Sequence, residues 1–106
     1  MALSFKIKYS KRFDNDISGI YEYIAYKLQN PHAATEQLNR IMSAVETVGV
    51  FPKIHRVRGK DKKGNEFRLC PVDNYVIIYF FDDVKNIVNI SRVLYAKRNI
   101  TEIIFL

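Results

Sequence analysis

An α+β fold follows from three features of this sequence: an alternating apolar segment at its start, two helical stripes on either side of Asn30-Pro31, and strand-like runs filling Glu66 to Tyr95. Two amphipathic helices joined by so short a link form an antiparallel hairpin, and strands joined by tight turns form an antiparallel meander. The expectation is an N-terminal strand, then an antiparallel helix hairpin packed on a largely antiparallel, twisted sheet of about four strands. At 106 residues the chain is expected to be a single domain built round one core.

Each element has its own signal. Leu3, Phe5, Ile7 and Tyr9 alternate with Ala2, Ser4, Lys6 and Lys8, the period-2 pattern of a strand with one buried face. Ser10 can cap the helix that follows, in which Phe13, Ile17, Ile20, Ile24 and Leu28 make one apolar stripe flanked by Tyr21, Tyr23 and Tyr26. Asn30 is a good N-cap and Pro31 fits the first helical position, so this pair stops one helix and starts the next. The second helix offers Ala34, Leu38, Ile41, Val45 and Val48 as its buried stripe, and Gly49 can end it in the left-handed conformation. Phe51-Pro52 closes the helical region, and the basic segment Lys53 to Asn65, with Gly59 and Gly64, is expected to be a mobile loop holding at most a short strand around Ile54 to Val57. Strands follow at Glu66–Val72, Tyr75–Phe81 and Ile87–Tyr95, with Asp73-Asn74 and Asp82 to Asn86 as turns. Ile100 to Leu106 reads as a last helical turn or a frayed strand.

Composition narrows the function classes. Lys and Arg number 17 against 11 Asp and Glu, a formal charge of +6 that points to nucleic acid, an acidic peptide or an anionic surface, or to a merely soluble basic domain. The single cysteine, Cys70, can form no internal disulfide, and no Cys/His cluster has metal-ligand spacing, so neither a metal nor a cofactor is expected. MALSFKIKYSKRF lacks the apolar stretch and cleavage site of a leader, and no run approaches the roughly 18 apolar residues that span a bilayer. A cytoplasmic protein with no membrane partner is expected.

Four segments carry a family resemblance: IYEYIAYKLQNPHAA (Ile20 to Ala34), FPKIHRV (Phe51 to Val57), FRLCPVDNYVIIYFFDD (Phe67 to Asp83) and ISRVLYAKRNI (Ile90 to Ile100). In this order they resemble the RelE/ParE superfamily of bacterial toxins from type II toxin–antitoxin pairs, also called plasmid stabilisation proteins. The resemblance implies a growth-inhibiting toxin neutralised by a cognate antitoxin, acting on DNA gyrase or on ribosome-bound mRNA according to branch. In the ribonuclease branch the tyrosine of the central strand is followed by an arginine, whereas here Tyr75 is followed by Val76. A guanidinium can stabilise charge developing on phosphorus and valine cannot, which leaves enzyme activity uncertain and weighs against it. Arg68, Asn74-Tyr75 and the terminal RVLYAKRN look closer to the ParE-like branch, whose studied members poison gyrase. An inactive antitoxin-binding module is the remaining alternative.

The candidate site residues for target or antitoxin binding are Arg68, Arg92, Tyr95, Lys97 and Arg98, and the same set without Lys97 but with His55 supplies the weaker catalytic candidates. Arg68 either binds phosphate or a carboxylate, or covers apolar surface with its stem. Arg92 interrupts an apolar run, so it faces solvent or pairs with a carboxylate such as Asp73. Tyr95 beside Lys97 and Arg98 can stack on a base or hold a peptide carboxylate, with Arg68 joining them in one cationic patch, or it is an ordinary strand-end tyrosine beside a solvated pair. His55 could act as an acid or base, although a lone loop histidine is more often incidental. His32, Cys70 and the first-helix tyrosines read as structural.

Overall fold

The computed structural model describes residues 5–98 and 100, so Ala2, Leu3 and Ser4 of the expected first strand and most of the Ile100 to Leu106 segment lie outside the described residues. Strand β1 (Lys6–Tyr9) leads into helix α1 (Lys11–Glu22), which continues as a π-helical turn over Tyr23–Lys27; helix α2 (Pro31–Val50) and strands β2 (Val57–Lys60), β3 (Glu66–Val72), β4 (Tyr75–Asp82) and β5 (Ile87–Tyr95) follow. The sheet order is β1-β5-β4-β3-β2. Five strands replace the expected four or so, because Val57–Lys60 pairs antiparallel with β3 a few residues beyond the short strand expected at Ile54. β1 pairs parallel with β5 over Lys6–Tyr9 and Ile87–Ile90, which makes β5 an interior strand of the sheet there.

Helix α1 starts as its sequence dictates. Ser10 Oγ accepts from the Phe13 amide at 2.9 Å and also donates to the carbonyl of Ser91, so the cap ties the helix to β5. In the π turn the Leu28 amide bonds back to the Tyr23 carbonyl at 3.0 Å. The wider turn carries one extra residue and throws the stripe out of phase: Ala25 is buried while Leu28, expected inside, is 54% exposed. Gln29 at φ 54 then turns the chain, and Asn30 Oδ1 accepts from the Ala33 amide at 3.1 Å with Pro31 in the first turn.

Helix α2 buries Ala34, Ile41, Val45 and Val48. Leu38 is only half-buried, because Gln37 takes the inward position and donates to Asp73 at 3.0 Å. Gly49 does not end the helix in a left-handed turn; it stays helical and the chain leaves at Phe51, with φ −124 and ψ 73. Its lack of a side chain serves close packing, since a Cβ there would sit 2.5 Å from Ile7 Cδ1, and its carbonyl accepts from the Phe5 amide at 2.8 Å.

The helices cover one face of the sheet, where Phe13, Ile41 and Val45 meet Ile77, Val88 and Val93. On the other face Phe67, Ile78 and Leu94 form a smaller cluster with Leu69, Phe80 and Ile100. Burial on both faces explains the unbroken apolar run of β4, in which Val76 to Tyr79 are all buried. Tyr79 has no exposed surface, and its hydroxyl donates to the Pro52 carbonyl at 2.8 Å, anchoring the segment that follows α2. Burial pushes the Tyr79 phenol up to about 12. The neutral phenol is therefore the form the fold favours, and the stability it supplies is intact below the unfolded value near 10 and lost as pH rises from about 10 to 12.

Tyr79→Phe is expected to cost about 1–2 kcal/mol at neutral pH, because it orphans a buried carbonyl. Urea titrations at pH 8 and pH 11 check both statements: the gap between the two proteins should shrink at the higher pH, and an unchanged gap would show that the hydroxyl does not titrate with unfolding.

Candidate functional site

The end of the sheet where β4 begins and β5 finishes is built by local geometry. Asp73, at φ 55, and Asn74 turn β3 into β4, and the Asn74 carbonyl accepts from Ala96 at 2.8 Å, drawing the end of β5 beside that turn. Arg98 N bonds back to the Tyr95 carbonyl at 3.0 Å, so the chain curls round as it leaves the sheet. Facing this end are the π turn of the helix hairpin and the first turns of α2. Between them lies an open cleft of about 750 Å3 lined by Tyr23, Tyr75, Tyr95, Asn74 and Arg98 among others.

The cleft is aromatic. Tyr75 and Tyr95 pair across β4 and β5 with ring centroids 6.1 Å apart in an edge-on arrangement. Burial raises the Tyr75 phenol, with smaller contributions from Tyr23 and Tyr95, so the ring is a neutral hydrogen-bonding group. Tyr23 and Tyr95 are 51% and 43% exposed, leaving their faces open to a partner. Of the first-helix tyrosines read as structural, Tyr23 is thus part of the cleft, on the same helix face as Asp16, Gly19 and Ile20.

Two arginines near the cleft are already engaged. Arg92 Nε and Nη2 donate to the two oxygens of Asp16 at 2.7 and 2.9 Å, and the Val93 amide donates to the same carboxylate at 3.1 Å. The partner of Arg92 is therefore Asp16 and not Asp73. The reason is topological: β1 ends at Tyr9, and beyond it α1 lies along β5 and offers Asp16 where a neighbouring strand would offer a carbonyl. Asp73 instead binds Arg40 Nε at 2.7 Å and Gln37, which holds its carboxyl below the usual range. Arg40 is raised in turn by its hydrogen bond to Asp73.

The remaining candidates separate. Tyr95 and Arg98 line the cleft, and among the described residues Arg98 makes no ion pair; Lys97 is exposed in the turn between them. Arg68 does not join this patch. It pairs opposite Tyr79, four residues or roughly 13 Å along β4 from Tyr75, and its Nη1 donates to the His55 carbonyl. His55 is half-buried with its ring edge-on to Tyr79 at 6.4 Å, so both residues hold the segment after α2 in place. His32 is exposed and lies 2.6 Å from Glu36. Cys70 is buried with its thiol pushed up by that burial, the environment of a small apolar group. Among the described residues no three His, Cys, Asp or Glu side chains gather to hold a metal, and no helix is long and apolar enough to cross a membrane.

Arg40, Gln37 and Asp16 carry no signal of their role in the sequence because each lies on a helix and meets its partner far along the chain; the one trace is the polar Gln37 at an inward helix position.

A family model described as the ParE toxin of the type II toxin–antitoxin system parDE matches residues 7–100. Among solved structures, the chromosomal ParDE toxin–antitoxin system of P. aeruginosa is 14% identical, covers 89% of this chain and 98% of the other, and superposes with a TM-score of 0.70. The archaeal RelE-RelB complex of Pyrococcus horikoshii OT3 is 13% identical over 91% and 99%, TM-score 0.62. The RelBE2 toxin–antitoxin complex of Mycobacterium tuberculosis is 13% identical over 88% and 99%, TM-score 0.57. No curated protein sequence matches significantly.

Asp16→Ala strips the counter-charge from a guanidinium that is one-fifth exposed and removes the acceptor of the Val93 amide. The expected cost is about 2–4 kcal/mol, below that of a fully buried pair. Arg92→Ala should cost less, and the double variant should cost about 1–2 kcal/mol less than the sum of the two singles. Denaturant unfolding of the four proteins checks this, and strict additivity would show the contact to be idle.

Proposed function

Because the chain belongs to the ParE toxin family of type II toxin–antitoxin systems, we propose that it arrests growth in the cytoplasm by binding DNA gyrase through the cleft at the end of the sheet, and that a cognate antitoxin neutralises it. The observation that carries this reading is the convergence of Tyr23, Tyr75 and Tyr95 with Arg98, while Arg40 and Arg92 are consumed by carboxylates. Open tyrosine faces around one uncompensated guanidinium are the composition of a protein-binding hot spot. They are poor equipment for cleaving RNA. A ribonuclease needs positioned acid–base groups and cations around the scissile phosphate, and here Val76 is buried, His55 packs on Tyr79 and Arg68 grips a backbone carbonyl.

Inhibition of gyrase supercoiling by the purified protein tests this. Tyr95→Ala and Arg98→Ala should each raise the inhibitory concentration about tenfold, equivalent to about 1.4 kcal/mol of binding. Their thermal midpoints should stay near that of the parent, because exposed side chains contribute only about 0–1 kcal/mol to stability. Undiminished inhibition by both variants would place the target surface elsewhere. Codon-positioned cleavage of translated message, with gyrase unaffected, would move the protein to the ribonuclease class, and absence of growth arrest on expression would leave an antitoxin-binding module.

A further inference from the structure

The segment expected to be a mobile loop is a built hairpin. β2 and β3 pair antiparallel, and their turn is closed by Asp61 N to the Asn65 carbonyl at 2.9 Å, Gly64 N to the Asp61 carbonyl at 3.0 Å, and Gly64 at φ 84. Asp61 Oδ1 accepts from the amides of Lys63 and Asn65, both at 2.9 Å, so this carboxylate is spent on the turn. Arg56, Arg58, Lys60, Lys62 and Lys63 are all exposed, and among the described residues none of them makes an ion pair. Within residues 56–66 the only acids are Asp61 and Glu66, so half of the chain's net charge of +6 sits on this segment.

We propose that this hairpin docks on the phosphate backbone of duplex DNA, a surface separate from the tyrosine cleft. β2 is an edge strand of the sheet with a bulge between Val57 and Gly59, which strengthens the local twist. A twisted two-stranded ribbon fits the B-form major groove, about 12 Å wide, whereas the deep and narrow groove of duplex RNA excludes it. Between residues 56 and 66 no aromatic side chain is exposed: the segment has none, Phe67 beyond it is buried with Ile78, and His55 before it packs on Tyr79. Without a stacking platform, single-stranded bases gain little, and charge contacts to phosphates dominate. The absence of an exposed apolar anchor on the ribbon likewise disfavours an acidic protein. Asp82 and Asp83 gather with the hairpin's own Asp61 and Glu66 round a cavity of about 530 Å3 on its β4 side, so phosphates must approach from the β2 edge.

Fluorescence anisotropy with the full chain and a labelled DNA duplex of about 20 base pairs, between about 50 and 200 mM salt, tests this. Arg58→Ala/Lys62→Ala should weaken binding about tenfold or more and reduce the salt slope by about two. Lys8→Ala/Lys11→Ala removes the same charge from exposed positions at the β1 side and should change neither. The proposal is overturned if the two pairs weaken binding alike, since net charge would then suffice. It is equally overturned if duplex DNA is not bound at the lowest salt, if single-stranded or duplex RNA of the same length binds more tightly, or if a polyglutamate peptide displaces the duplex more readily than unlabelled duplex does.

Discussion

The geometry depends on how β5 is flanked. Over Ile87–Ile90 it lies between β4 and β1, but β1 ends at Tyr9 and the remaining half of β5 would expose unpaired backbone groups. Three devices fill the gap. The register shift opposite Ile78 and Tyr79 leaves Ser91 as a bulge, Ser10 bonds the carbonyls of Ile90 and Ser91, and Asp16 takes the Val93 amide together with Arg92. A partly buried ion pair carries a desolvation cost that its charge attraction alone does not repay. Here one carboxylate satisfies three donors, which removes most of that cost and docks α1 against the sheet end. The cleft exists because α1 is held there, and the Val93 amide and the Ile90 and Ser91 carbonyls are already occupied by α1 and its cap.

The same contacts divide the basic residues into two classes that composition cannot distinguish. Arg40, Arg68 and Arg92 grip a carboxylate or a carbonyl, work that suits the planar, multiply donating guanidinium. Arg98, Lys97 and the cations of the β2–β3 hairpin project into solvent. A charge of +6 states only that basic groups are in excess. Which of them are available is set by where the acids lie, and Asp16, Asp61 and Asp73 are each occupied by a structural task.

What could be read in advance follows the range of the interaction. Ser10, Asn30-Pro31 and the unbroken run of β4 act within a few residues, and their effects were legible. The parallel pairing of β1 with β5 and the Arg92–Asp16 contact join residues about eighty positions apart and leave no periodic trace, so neither the place of β1 in the sheet nor the partner of Arg92 could be read from spacing. Gly49 shows the same limit: a glycine near a helix end suggests a left-handed cap, but its role is set by Ile7 packing against it from the other end of the chain. The π turn defeats a helical wheel beyond Tyr23, which is why Leu28 emerged exposed. β2 lies a few residues beyond the short strand expected around Ile54 to Val57, because a short polar edge strand has no buried face to impose alternation.

Identities of 13–14% with superposable chains show that this fold persists through wholesale replacement of side chains. Chemistry rests on the few groups that remain open. In this chain those groups fall at opposite ends of β3. Val72 pairs with Tyr75 beside the tyrosine cleft, and Glu66 pairs with Lys60 beside the hairpin turn, roughly 20 Å away along the strand. No described side chain belongs to both surfaces, and the buried residues between them are rigidly packed. The two surfaces are therefore physically separate, and filling the cleft leaves the cationic hairpin exposed.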